Sequence, residues 1–255
     1  MSTHTTTSII AHRGLNGIYP ENTRRSFEEA LKLDGVAGIE CDVNLTADGQ
    51  VVVIHDQSVD RTSDGSGEVA EMSVDKLKKL NFGTESDPQE LLLLDELLDL
   101  LDAHPGKKIL IETKHPSPFG ERLEQAVAEV LRARAMEADE RVQLISFNAE
   151  AIERFEELLP ELQSFLLLDP EPLLTGQGAA SFERIGNCGV GPSMWQAKAE
   201  PELLGGEAPS YVWTVNLPKD MLWLREHGAS LIGTDLPHVA VEVFAGTHFP
   251  RGKEA

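Results

Sequence analysis

The stretch Asn44-Leu45-Thr46-Ala47-Asp48-Gly49-Gln50 decides how the chain folds. It stands between two apolar runs, 37–43 and 51–55, and carries a turn signal at Asp48-Gly49. A parallel crossover needs about a dozen residues or more, so this short link joins the two runs only as an antiparallel hairpin. Working outward, seven further runs have strand character, at 8–11, 108–114, 142–147, 164–168, 188–192, 211–215 and 230–234. With the return arm of the hairpin set aside, eight strands remain, and they alternate with stretches of helical period. Eight parallel strands close a (β/α)8 barrel, a fold of about 250 residues.

Helices are expected at 23–33, 119–135, 149–159 with Asn148 as N-cap, and 218–227 with a first-turn proline. The segment 46–104 is longer than a barrel loop requires. It holds the hairpin arm, a Ser/Asp/Gly stretch at 63–67 and helical pieces at 74–80 and 92–103. Residues 46–90 are therefore read as a small insertion of hairpin plus short helix after the second strand. It caps the barrel mouth within a single domain spanning 1–255, and the piece at 92–103 is the barrel's own second helix.

Composition narrows the function. Against 43 Asp plus Glu the chain has 22 Lys plus Arg, a net charge of −21, and this opposes both a nucleic-acid partner and an anionic membrane surface. Cys41 and Cys188 form no metal or disulfide pattern, no leader or membrane span is legible, and a cytoplasmic location is expected, as a monomer or homodimer.

In a parallel barrel, catalytic groups stand at the C-terminal ends of strands. The first strand ends in His12-Arg13 and the hairpin arm in His55-Asp56. On the second, Glu40 and Asp42 share a face while Cys41 turns to the helices; on the strand at 108–114, Glu112 and Lys114 share a face. Three convergent carboxylates outnumber the cations placed to meet them, and an oxygen-rich site of that kind suits Mg²⁺ or Ca²⁺ rather than zinc. Acids for a cation, Arg13 and Lys114 for an anion and two histidines for proton transfer together describe cleavage of a phosphoryl ester. Trp213, at the end of the seventh barrel strand, is placed in the pocket wall.

These residues also fall into an ordered set of motifs. Ala11-His12-Arg13-Gly14, Pro20-Glu21-Asn22-Thr23, Glu40-x-Asp42-Val43, His55-Asp56, Asp60-Arg61-Thr62, Glu112-x-Lys114, Ser146-Phe147-Asn148, Trp213-Thr214-Val215-Asn216 and Thr234-Asp235-x-Pro237 together resemble the glycerophosphodiester phosphodiesterase family over residues 9–237. The resemblance implies a TIM-barrel hydrolase that converts glycerophosphodiesters such as glycerophosphocholine or glycerophosphoethanolamine to glycerol 3-phosphate and an alcohol. It implies Glu40, Asp42 and Glu112 as ligands of one Mg²⁺ or Ca²⁺, and His12 and His55 as the acid/base pair. Arg13 and Lys114 would bind phosphate, and Glu21 would order the first loop or contact substrate. The nucleophile is water or the substrate's own glycerol 2-hydroxyl. Residues 176–191 depart from the family pattern. Two alternatives stand beside this expectation: a lysophospholipase D or sphingomyelinase D-like enzyme, which would show exposed aromatics within 46–104, and a non-catalytic phosphodiester-binding protein.

Overall fold

The computed structural model describes residues 7–168 and 186–247. Residues 176–185 of the stretch that departs from the family pattern, together with His4 and His248, lie outside the described residues. Nine strands form one sheet: β1 (Ser8–His12), β2 (Val36–Leu45), β3 (Val51–Val53), β4 (Lys108–Thr113), β5 (Val142–Ser146), β6 (Gln163–Leu167), β7 (Gly189–Gly191), β8 (Tyr211–Val212) and β9 (Leu231–Thr234). Their order is β7-β6-β5-β4-β2-β1-β9-β8, with all neighbours parallel. Parallel bridges Val190 to Ser210 and Ser193 to Trp213 join β7 to β8 and close the ring. The fold is the expected α/β (β/α)8 barrel.

The extra strand is placed by the length of β2. Its pairing with β4 ends at Val43 opposite Thr113, and from there to Leu45 it pairs antiparallel with β3, Val43 opposite Val53 and Leu45 opposite Val51. The turn between them closes with Gly49 at φ 76°, where the left-handed backbone favours glycine, and its N–H donates to the Thr46 carbonyl at 2.9 Å.

Among the described residues the helices are α1 (Arg24–Leu31), α2 (Val74–Leu77), α3 (Leu94–Asp102), α4 (Arg122–Ala133), α5 (Ala149–Leu158), α6 (Met194–Ala199), α7 (Pro218–Glu226) and α8 (Pro237–Ala245). Thr23 caps α1 by accepting from Ser26 N–H, and Asn148 caps α5 by accepting from Ala151 N–H at 3.0 Å. In α3, Leu94, Leu97, Leu98 and Leu101 recur at the helical period and are fully buried, each contributing roughly 1.5–3 kcal/mol relative to exposure. Two expected helices are shorter than their apolar patterns. The piece at 92–103 starts only at Leu94, because Leu92 and Leu93 are extended: Val53 N–H donates to the Leu92 carbonyl and Leu93 bridges Val52. The piece at 74–80 stops being helical after Leu77 and finishes in a turn. Helices α6 and α8 had no counterpart in the expectation; a Ser193–Gln196 capping box opens α6.

Three apolar clusters follow. The largest lies between sheet and helices and takes Ile39, Cys41 and Val43 from β2. A second fills the barrel with Ile10, Leu110, Ile145, Phe165, Leu167, Tyr211 and Leu231. Gly233 makes room for it, since a Cβ there would stand 2.3 Å from the Tyr211 hydroxyl. The third, Val52, Ile54, Val59, Val69, Met72, Leu77, Phe82 and Leu91, is a small core belonging to the chain that follows β2.

Candidate active site

The inner cluster fixes where the polar groups stand. Side chains alternate along a strand, so residues two positions beyond an inner residue face the barrel axis one layer higher. From Ile10 that step gives His12, from Leu110 Glu112, from Ile145 Phe147 and from Tyr211 Trp213; two such steps from Leu231 give Asp235. Pairing register places His12 beside Glu40, and Asp42 beside Glu112.

Ligand oxygens of Glu40, Asp42 and Glu112 lie within 4.8 Å of one another, and all three residues are buried. Asp42 Oδ2 accepts from Asn22 Nδ2 at 2.9 Å and has Arg13 Nε at 3.2 Å, while Lys114 Nζ stands 3.4 Å from Asp42 Oδ1 and 2.5 Å from Glu112 Oε1. Glu40 Oε2 accepts the backbone N–H of Arg13. Arg13 itself has φ 54°, a left-handed backbone uncommon for a non-glycine residue.

The electrostatics record the crowding. Burial, then the charge of Asp42, pushes Glu40 up to about 8, and burial followed by Asp42 also raises Glu112. Burial would raise Asp42 too, but Arg13 and Lys114 outweigh it and hold this carboxyl below its usual range. Glu40 Oε1 and Asp42 Oδ1 are buried and accept no hydrogen bond. Buried carboxylate oxygens without donors are costly, so the donor set fits a hard divalent cation.

A consequence can be measured. In the metal-free protein Glu40 keeps its proton when folded up to about pH 8, but an unfolded Glu ionises near pH 4.3, so stability is lost as pH rises through that interval. A cation must displace that proton, and its stabilising effect grows as the pH rises. Melting curves with and without Mg²⁺ at pH about 6 and about 8.5 should show the larger gain at the higher pH; equal gains would contradict a protonated Glu40.

Each histidine has a carboxylate behind it. His12 Nδ1 lies 2.7 Å from Asp235 Oδ1, and Asp235 is held in turn by Asn16 Nδ2 at 2.8 Å and Asn216 Nδ2 at 2.6 Å. His55 Nδ1 lies 2.6 Å from Asp56 Oδ1. In both, the carboxylate accepts a hydrogen bond from Nδ1–H, which leaves Nε2 for chemistry. Burial opposes a charged His12, yet the Asp235 bond, with the charges of the acid cluster, prevails and raises its pKa; at His55 burial prevails and lowers it.

Of the expected residues, His12, Arg13, Glu40, Asp42, Glu112 and Lys114 are brought together by these contacts. Glu21 lies behind them, its Oε1 accepting from Arg13 Nη1 at 3.0 Å. Trp213 stands on the far wall, its Nε1 donating to the Gly191 carbonyl and its ring edge-on to Phe147 at 5.1 Å. Phe147, with Lys114 Nζ 6.0 Å from its ring centre, is a wall residue that the strand pattern did not single out. Asp235, Asn16, Asn22 and Asn216 were likewise given no role; their only sequence signal was a place in the quoted motifs or beside one, since what they touch is set by tertiary structure.

A parallel barrel that gathers acids, cations and carboxylate-backed histidines at the C-terminal ends of its strands is an enzyme of the (β/α)8 class, built to act on an anionic group. Comparison with known proteins makes this specific. Residues 12–239 match the model of the glycerophosphoryl diester phosphodiesterase family, and the chain belongs to that family. It is a phosphoric diester hydrolase. It is 36% identical over 248 residues to the protein designated probable glycerophosphodiester phosphodiesterase 1 of Mycobacterium tuberculosis, covering 90% of this chain and 89% of that one. It is 32% identical to a glycerophosphodiester phosphodiesterase of Bacillus altitudinis, covering 93% and 98%. Among solved structures, an Oleispira antarctica phosphodiesterase in complex with sn-glycerol-3-phosphate superposes with a TM-score of 0.79 at 24% identity, over 94% of this chain and 97% of that one. No helix among the described residues is long and apolar enough to cross a membrane.

Proposed function

We propose that the chain hydrolyses glycerophosphodiesters, of the glycerophosphocholine or glycerophosphoethanolamine type, to glycerol 3-phosphate and an alcohol, with His12 and His55 as acid and base. The observation that carries this reading is the pair of carboxylate-backed histidines beside the buried acid cluster, His12 Nε2 3.9 Å from Glu40 Oε2 and His55 near enough to interact with the charge of Asp42. Glu40, Asp42 and Glu112 would hold one Mg²⁺ or Ca²⁺, which when bound supplies positive charge to non-bridging phosphate oxygens. Arg13 and Lys114 bind the remaining charge of the diester and orient it. One histidine takes the proton of the nucleophile, water or the glycerol 2-hydroxyl, and the other gives a proton to the departing alkoxide. Asp56 and Asp235 keep each ring in the tautomer that presents Nε2. Glu21 holds Arg13, and Trp213 with Phe147 forms a wall of the pocket. We place residues 46–90 over the mouth as a cap, and the protein in the cytoplasm.

A second reading has its own observation. Phe82 is packed in the small core, so the stretch 46–104 exposes no large aromatic, but the exposed large apolar residues Ile18, Phe147, Trp195 and Leu217 follow β1, β5, β7 and β8 at the mouth. They give a lysolipid substrate a surface to lie on. Assay of a panel of glycerophosphodiesters and lysolipids, with and without EDTA, separates the readings. Metal-dependent release of glycerol 3-phosphate from the water-soluble diesters is expected to dominate, whereas turnover confined to lysolipids, or none at all, would retire the proposal.

A further inference from the structure

The insertion contributes one side chain that reaches two parts of the site at once. Arg61 donates from Nε and Nη2 to Asp56, at 2.6 and 3.0 Å, and from Nη1 and Nη2 to Glu21, both at 2.8 Å. The oxygens shared by Nη2 are the informative ones. Glu21 Oε1 also accepts from Arg13 Nη1, and Asp56 Oδ1 is the atom facing His55 Nδ1. A single guanidinium nitrogen is therefore two bonds removed from the phosphate-binding Arg13 on one side and from the His55 ring on the other. Half-exposed ion pairs are ordinarily worth little, but forked arginine–carboxylate contacts in a network are the exception, and their planar geometry fixes direction as well as distance.

We propose that Arg61 is a positioning residue that sets His55 and Arg13 together: it locks Asp56 so that the carboxylate holds the Nδ1 proton of His55, and it locks Glu21 so that Arg13 points at the phosphate. Without the fork, Glu21 and Asp56 are two carboxylates facing one another with no charge between them, and each turns away. The insertion thereby completes the site instead of merely covering it. This inference rests on the acid/base role proposed for His55.

The test uses the full chain with Mg²⁺ and two readouts. Steady-state turnover of glycerophosphocholine gives kcat. Long-range proton–nitrogen spectra of the imidazole rings, with the His55 signal identified by its loss in His55→Ala, give the tautomer without reference to activity. In Arg61→Gln, kcat is expected to fall roughly 10–100-fold, the range typical when a group behind a catalytic or ligating residue is lost. The His55 ring is expected to move from the Nδ1–H toward the Nε2–H form, and Arg61→Lys, which keeps the charge but not the fork, should restore only part of either. Because the arginine acts on His55 through Asp56, the double variant Arg61→Gln with Asp56→Asn should shift the His55 tautomer no further than the worse single one. An unchanged ring tautomer in Arg61→Gln, or tautomer shifts that add in the double variant, overturns the proposal. A changed tautomer with undiminished turnover instead upholds the link and overturns the catalytic role of His55. Should Arg61→Gln fail to fold, Arg61→Lys and Asp56→Asn report the same coupling by the same spectra.

Discussion

His12→Ala and His55→Ala are each expected to lower kcat by about 10²–10⁴-fold, the usual contribution of a positioned acid or base, equivalent to about 1.4 kcal/mol of barrier for each factor of ten. The two losses should differ in their pH dependence. His55 is held low by burial, and His12 is held high because its hydrogen bond to Asp235 and the charges of the acid cluster outweigh burial, so a neutral His55 paired with a protonated His12 is the expected reactive form. Wild-type turnover should fall on the acid side as His55 takes up a proton and on the alkaline side as His12 gives one up. Each alanine variant should keep only the limb of the histidine it retains. A variant with full turnover, or with both limbs intact, would remove that histidine from the reaction.

Withdrawal of the divalent cation is expected to have an effect at least as large. Chelation with EDTA should take turnover to the assay background, and Mg²⁺ or Ca²⁺ should restore it. Asp42→Asn should not respond to either. Asp42 is the acid kept ionised by Arg13 and Lys114, and its asparagine leaves those two cations facing Glu40 and Glu112 with the central charge gone. The same titration reports on stability, since a cation at a hundred times its Kd adds about 2.7 kcal/mol to the folded state. Full activity in EDTA, with no shift in melting temperature on adding metal, would leave the three carboxylates without the assigned purpose.

Most of the barrel is legible in the chain because its rules are local. One link too short for a crossover separates the hairpin from eight parallel strands, and period-two alternation tells Glu40 and Asp42 from Cys41. What escaped is set by contacts that no spacing encodes. Leu92 and Leu93 have a helical neighbourhood but are drawn into extended backbone by Val52 and Val53, and α8 starts directly from the residues that hold His12. Phe147 lies one residue beyond the end of β5, so its place in the wall depends on Trp213, far away in sequence. Asn16, Asn216 and Asp235 find each other across more than two hundred residues in the case of Asn16 and Asp235, separated by 219 positions.

The alternation along β2 has an implication for altering this enzyme. Glu40 and Asp42 answer to chemistry, while Ile39, Cys41 and Val43, interleaved with them, answer only to the volume available beneath the helices. Packing volume and reacting charge are thus assigned to different residues of one strand. Repacking the outward set at constant volume offers a way to tune melting temperature while the reacting groups keep their positions.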